Sequence, residues 1–205
     1  MEIKPNNIKL PMKCLIHGIA GCGKTHLTIK LINAFQNTFS HVYIYSGNNI
    51  EPLHDLLKTQ LDPSLLTIAH NTDSLTSFME THQQQKYDRN NRKQTLHIFD
   101  DVKHDKCIID FVMRSRKMDA SVIFVKQSYF DVPKIIRHDC STIITMRFLS
   151  YRSIKAITLD CGLQTQAREL GDIYCDELKE IGDSIILNVE HGTHCKNFDN
   201  YLLID

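Results

Sequence analysis

The sequence predicts a three-layer α/β/α fold with a mainly parallel central sheet and small β elements near its C-terminal end. Three observations predict it. Apolar, β-rich runs alternate with amphipathic helical stretches, the pattern of successive βαβ units. Most of those runs are continuous rather than alternating, as strands buried on both faces require. The segment Gly18-Ile19-Ala20-Gly21-Cys22-Gly23-Lys24-Thr25 closes the first run and opens the first helix. That is where a parallel sheet gathers its ligands.

In order, strands are expected over residues 13–19, 41–46, 65–69, 95–101, 121–127 and 141–148. Helices are expected over 24–39, 50–60, 72–85 and 106–117. The last of these sets Ile108, Ile109, Phe111, Val112 and Met113 within a short amphipathic stretch. Residues 83–93 are polar and somewhat basic and read as an exposed loop or helix end. Beyond Ser150 the pattern weakens: 151–180 reads as helical, and 184–189 with 201–204 as two closing strands. No internal repeat is seen. The 205 residues are therefore read as one domain, 1–205, with a core over about 10–150 and a helical and β extension over about 151–205.

Hydrophobic residues make up 42% and charged residues 23%, enough apolar matter for a real core in a soluble protein. Formal net charge is zero. Global charge thus cannot hold a nucleic acid; a local basic rim or several subunits together would have to supply the field. The seven cysteines are odd in number and irregularly spaced, and no secretory leader or bilayer-long apolar run accompanies them. Free thiols in a reducing compartment are expected, with no secretion and no stable membrane insertion. His191, His194 and Cys195 lie close together, but no second Cys/His pair at finger spacing joins them, so no zinc site is assigned.

The segment 18–25 matches G-x-x-x-x-G-K-[ST] without a mismatch. Its glycines let the backbone curl so that N–H groups point inward at phosphates, and the following helix presents its positive end to the same anion. The loop and the next residue, His26, are the expected nucleotide contacts. Lys24 would reach the outer phosphates of ATP, and the Thr25 hydroxyl would hold Mg²⁺. Cys22 is read as a small residue that fits the loop.

A run of mostly apolar residues ends in Asp100 and Asp101. Ligands of a parallel sheet lie at the carboxyl ends of its strands, so this pair can reach the same Mg²⁺. Asp100 is expected to hold the metal and Asp101 to orient and deprotonate the attacking water. The long separation between Lys24 and Asp100 leaves room for further elements between the two motif strands. Gln127 ends the following apolar run, where its amide would contact the γ-phosphate or the water. Arg114 and Arg116 end the helix before it. Cations there ordinarily answer the helix dipole, while the sharper role is an arginine finger placed into a neighbouring subunit. Arg137 is a third candidate.

Taken together, the loop, the Asp-Asp strand end, the Arg-bearing helix end and the stretch Gln127-Ser-Tyr-Phe-x-x-Pro-x-x-Ile-Arg137 resemble the poxvirus-type genome-packaging ATPases of double-stranded DNA viruses and virophages. These belong to the FtsK–HerA superfamily of P-loop NTPases. The resemblance runs from about residue 13 to 148. It implies a RecA-like core that pumps double-stranded viral DNA into a preformed capsid with ATP and Mg²⁺, at sites shared between subunits. Lys24, Asp101, Gln127 and Arg116 would be its catalytic residues, the last acting in trans; Thr25 and Asp100 would take the metal. The expected partners are duplex DNA, a homo-oligomeric ring of five or six copies, and capsid or portal-vertex proteins. The expected place is the host-cell cytoplasm or a viral factory, with association with the virion left open. Many cellular relatives carry large anchoring or orienting domains, and none is legible here, which suggests a bare motor. DNA contacts are sought at Lys103, His104 and Lys106, or at Lys86, Arg89, Arg92 and Lys93. Two other readings stay open: a nucleoside or nucleotide kinase, and a non-motor ATP-gated assembly switch.

Overall fold

The computed structural model describes residues 8–35, 37–47, 57–59, 61–84, 94–147, 150–163, 167–198 and 200–202. Six strands form a parallel core: β1 (Lys13–His17), β2 (Phe39–Ser46), β3 (Leu66–Ala69), β4 (Gln94–Asp100), β5 (Ala120–Lys126) and β6 (Thr142–Thr145). Three more continue it antiparallel: β7 (Ile185–Asn188), β8 (Thr193–Lys196) and β9 (Asn200–Leu202). The order across the sheet is β3-β2-β4-β5-β1-β6-β7-β8-β9. The loop strand β1 and the acidic strand β4 are therefore separated by β5. The expected α/β class and mainly parallel sheet are borne out. The C-terminal part differs in detail, with three strands where two are expected, all joined to the same sheet.

The helices are α1 (Lys24–Ala34), α2 (Asp73–Gln84), α3 (Lys106–Arg114), α4 (Lys134–Asp139), α5 (Tyr151–Asp160) and α6 (Ala167–Glu177). Short 3₁₀ turns at Ser115–Met118 and Tyr129–Asp131 join α3 to β5 and β5 to α4. Most of the expected helix over 50–60, and the basic residues Lys86, Arg89, Arg92 and Lys93, lie outside the described residues.

Neighbouring residues of one continuous apolar run serve opposite faces, because side chains alternate along a strand. Ile16, Ile123 and Ile144 join a core with Leu27, Leu31 and Ile32 of α1. Leu15, Phe124 and Ile143 join the other, with Leu75 of α2, Phe111 of α3, Ile136 of α4, Ile154 of α5 and Tyr174 of α6. Each such fully buried side chain contributes about 1.5–3 kcal/mol of transfer free energy. His97 is buried inside β4, stacked on Tyr43 at 4.6 Å with Nδ1 and Nε2 each 3.2 Å from the hydroxyls of Tyr45 and Thr95. At Gly171 of α6 a Cβ would lie 1.8 Å from the Tyr151 ring of α5, so the glycine lets these two helices meet closely. Together the two apolar layers hold the carboxyl ends of β1, β4 and β5 side by side.

Candidate nucleotide site

Strand β1 stops at His17, two residues earlier than expected, because the chain leaves the ladder at Gly18. A Cβ at Gly18 would fall 2.8 Å from Cys22 Sγ, 2.9 Å from Met146 Cβ and 3.0 Å from the Arg147 carbonyl oxygen, so the position has no room for a side chain. Gly21 and Gly23 have φ of 76° and 100°, left-handed backbone that other residues adopt only with strain. The turn is tied down from three sides: Gly18 N–H donates to Lys126 O (3.3 Å), Ile19 N–H to Arg147 O (2.8 Å), and Gly182 N–H to Cys22 O (3.1 Å).

Helix α1 begins at Lys24 with Gly23 as its N-cap. No side chain caps it and no acid lies in its first turn. Its first amides thus have no carboxylate or hydroxyl of their own to serve, the condition for an anion site. Lys24 Nζ donates to Gly18 O (2.7 Å) and Ile19 O (2.9 Å), which holds the ammonium over the loop's own carbonyls. Ala20, Gly21 and His26 are exposed, Thr25 is half-buried, and Cys22 is buried. Burial pushes the Cys22 thiol up, against the pull of Lys24, so it stays protonated rather than poised for oxidation. The curled glycines, the uncapped helix start and the lysine fit the phosphates of a nucleotide.

The two acids part at the end of β4. Asp100, the last strand residue, is buried and sits opposite Ser46 of β2 and Val125 of β5. Asp101 lies beyond the strand, where the sequence expected it inside. Its φ of 51° swings the chain off the sheet and leaves the side chain exposed. Its N–H donates to Val125 O (3.1 Å), and its Oδ2 accepts from Gln127 Nε2 (3.2 Å). Gln127 follows directly after β5 and opens a capped turn in which Ser128 and Asp131 bond each other's backbone.

Behind these groups lie residues the sequence reading did not name. Lys126 is buried at the end of β5, and its Nζ donates to the carbonyl of Val102. Burial pushes its ammonium pKa down, while Asp101, Asp131 and Asp100 draw it back up. His17 Nε2 lies 2.9 Å from Thr145 Oγ1, and its pKa is pushed down to about 3 by burial and then by Lys24, so the ring is neutral. Lys126 had a signal, as a cation inside an apolar run beside Gln127. Thr145, Arg147 and Gly182 had none, since only folding brings them to the loop.

Residues 18–25, Asp100, Asp101 and Gln127 thus meet at one end of the sheet. Arg114 and Arg116 do not. They precede β5 and lie at the opposite, amino end of the strands. Arg116 is half exposed and pairs with Glu190 Oε1 at 3.7 Å. From there it does not reach the phosphate loop of its own chain. Arg137 is unsuited to the finger role: its side chain is only 11% exposed, paired with Asp160 (3.3 Å) and 4.5 Å from the Tyr129 ring centroid. Lys103 and Lys106 are exposed beside the acidic turn, while His104 is half-buried and pushed down to about 4, chiefly by burial and then by Lys126. His191 and Gly192 form the turn into β8, and His194 Nδ1 lies 3.0 Å from the Tyr174 hydroxyl. Among the described residues no group of three or more His, Cys, Asp or Glu could hold a metal ion by itself, and no helix is long and apolar enough to cross a membrane.

A family model described as the viral superfamily 1 RNA helicase core domain matches residues 14–172. The DNA packaging protein OPG160 of Variola virus is 26% identical over 157 residues, covering 68% of this chain and 56% of that protein. Its Vaccinia virus (strain Copenhagen) counterpart is 26% identical over 156 residues, covering 67% and 55%. The chain therefore spans about half the length of the curated relatives it matches. These relatives bear out the resemblance to poxvirus-type packaging proteins. Among solved structures, the genome packaging NTPase B204 of Sulfolobus turreted icosahedral virus 2 with ATP-gammaS superimposes with a TM-score of 0.61 at 16% identity, covering 92% of this chain and 97% of that one. EssC (ATPases 2 and 3) of Geobacillus thermodenitrificans gives 0.63 at 14% identity, covering 94% and 38%. At such identities both describe the fold alone.

Proposed function

The chain belongs to the viral superfamily 1 RNA helicase core domain family, and from that premise we propose that it is an ATP-hydrolysing motor that moves double-stranded viral DNA into a preformed capsid. One observation carries the reading: the phosphate-type loop, the acidic pair and Gln127 converge at the carboxyl ends of β1, β4 and β5, with Gln127 bonded to Asp101. A loop alone binds phosphate. An exposed carboxylate held beside it by an amide adds a place to orient water. The packaging description of the poxvirus relatives supports the choice of cargo.

In this reading the α1 amino end and residues 18–26 bind the phosphates of ATP, and Lys24 exchanges its loop carbonyls for phosphate oxygens. Thr25 and Asp100 would hold Mg²⁺, which when bound would neutralise phosphate charge. Asp101 aligns a water with the γ-phosphorus and draws off its proton as the bond to the leaving diphosphate breaks. Gln127 holds that carboxylate in place. Arg116 acts on the site of the next copy in a ring of five or six, since its own site lies at the far end of the sheet. Lys103 and Lys106 offer exposed charge for sequence-tolerant backbone contacts with DNA. The work is done in the host-cell cytoplasm or a viral factory, with capsid-vertex proteins as docking partners.

The test is phosphate release from ATP with Mg²⁺ at low salt, with and without duplex DNA. Stimulation several-fold, fading as salt rises, is expected. A rate that duplex DNA leaves unchanged overturns the motor reading, and transfer of phosphate to a nucleoside, seen by product chromatography, would replace it with a kinase.

A further inference from the structure

Lys126 is in contact with both halves of the site. Its carbonyl accepts the Gly18 N–H, the first amide of the phosphate loop (3.3 Å). Its Nζ donates to the carbonyl of Val102, directly after the acidic pair. The side chain is only 4% exposed. A buried ammonium is costly unless its bonds and neighbouring charges compensate. Here the neighbouring charges are Asp100 and Asp101 of the acidic turn and Asp131 of the turn after Gln127, while His104 faces it in its neutral form.

The turn it holds needs holding. Asp101 is a non-glycine residue at φ 51°, a conformation that L side chains adopt reluctantly. Three bonds from the end of β5 fix it: Val125 O takes the Asp101 N–H, Lys126 Nζ grips the next carbonyl but one along the chain, and Gln127 Nε2 binds the carboxylate. Val125 acts through its backbone and Gln127 on the carboxylate itself. Lys126 is the only side chain of the three that restrains the backbone of the turn. It does so from a residue whose own carbonyl anchors the phosphate loop.

We propose that Lys126 is a positioning residue that ties the phosphate loop to the acidic turn and sets the Asp101 carboxylate at the distance from the bound phosphates that hydrolysis requires. It acts through the turn and the loop rather than on the reacting groups. This rests on the proposed role of Asp101 and extends it to a residue outside the recognised motifs. Misplacing a reacting group by about an ångström costs on the order of 100-fold in rate.

The test compares Lys126→Met, which keeps the apolar stem and loses the donor, with Lys126→Arg, which keeps a cationic donor, and with Asp101→Asn. Each is read by ATP hydrolysis, by affinity for a non-hydrolysable ATP analogue and by thermal unfolding. Expected for K126M is a kcat lower by roughly 30–100-fold, with KM and analogue affinity within about threefold of the parent. K126R should recover at least about tenfold of that loss. Should K126M not fold, Lys126→Leu, shorter and likewise without a donor, is read in its place with the same expectation. A K126M enzyme that hydrolyses at the parental rate overturns the proposal, as does one that loses analogue binding in step with kcat, since Lys126 would then merely support the fold. If D101N is inactive while K126M is normal, only the Lys126 role fails. If D101N hydrolyses normally, the role of Asp101 fails, and that of Lys126 with it.

Discussion

At Lys24 a single ammonium now satisfies two loop carbonyls, those of Gly18 and Ile19. Lys24→Ala is therefore expected to leave the fold intact yet lower ATP hydrolysis by roughly 100-fold or more, because a charge that meets the phosphates in the transition state is lost. Phosphate release with parallel circular dichroism checks it. Two buried histidines govern a different property. His17 and His97 are both held at about 3 by burial, far below the free imidazole value of 6.5. The folded chain keeps them neutral, whereas the unfolded chain protonates them below pH 6.5. The stability they lend is thus whole above that pH and drains away as pH falls toward 3, by roughly 1 kcal/mol per pH unit for each ring. Urea midpoints should hold steady from pH 8 to 7 and decline below 6.5, with a shallower decline in His97→Gln.

Among the elements, α3 follows the acidic turn and starts on Asp105, whose carboxylate accepts the Ile108 N–H at 2.9 Å. Asp105→Ala should cost about 1 kcal/mol in denaturant titration, the usual worth of an N-cap. The effect should fall on stability and not on nucleotide affinity, since the Asp105 carboxylate is engaged by the Ile108 N–H and the Thr72 hydroxyl. The phosphate loop itself is held from below by Met146 and Arg147, just past β6. Gly18→Ala is expected to destabilise by about 1–3 kcal/mol, because the added methyl meets Cys22, Met146 and the Arg147 carbonyl and something must shift. Periodicity and turn chemistry made most strands legible within a residue or two, whereas α1 ends at Ala34 rather than Phe39, α4 had no expected counterpart, and the expected helical stretch over 151–180 is split into α5 and α6. The ends that mattered most were read least well. Asp101 sits outside β4 because its left-handed turn is fixed by β5, and no local pattern around residues 95–101 reports that.

Over the whole molecule the sheet order sets a polarity, with the phosphate-type loop and the acidic pair at one end of the strands and Arg114 and Arg116 at the other. If Arg116 serves a neighbour, two crippled proteins should repair each other. A mixture of Arg116→Ala and Lys24→Ala chains is expected to regain hydrolysis that neither shows alone, because some interfaces combine an intact loop with an intact arginine. Mixtures no faster than their components, titrated over a range of ratios, would remove Arg116 from the site.

By itself the sequence determined the parallel core, the glycine loop between β1 and α1, and the acidic pair at the end of β4 and just past it, because each is written in a contiguous stretch whose pattern needs no partner. Only the tertiary structure decided the rest. It inserted β5 between the two motif strands, turned Lys126 inward to bridge them, paired Arg137 with Asp160 and carried Arg116 to the far end of the sheet. The physical reason is sequence distance. Strand pairing and buried charge are settled between residues far apart in the chain, and composition and period describe only neighbours. The three-layer fold stands, and the end that carries the glycine loop is shaped by where β5 lies.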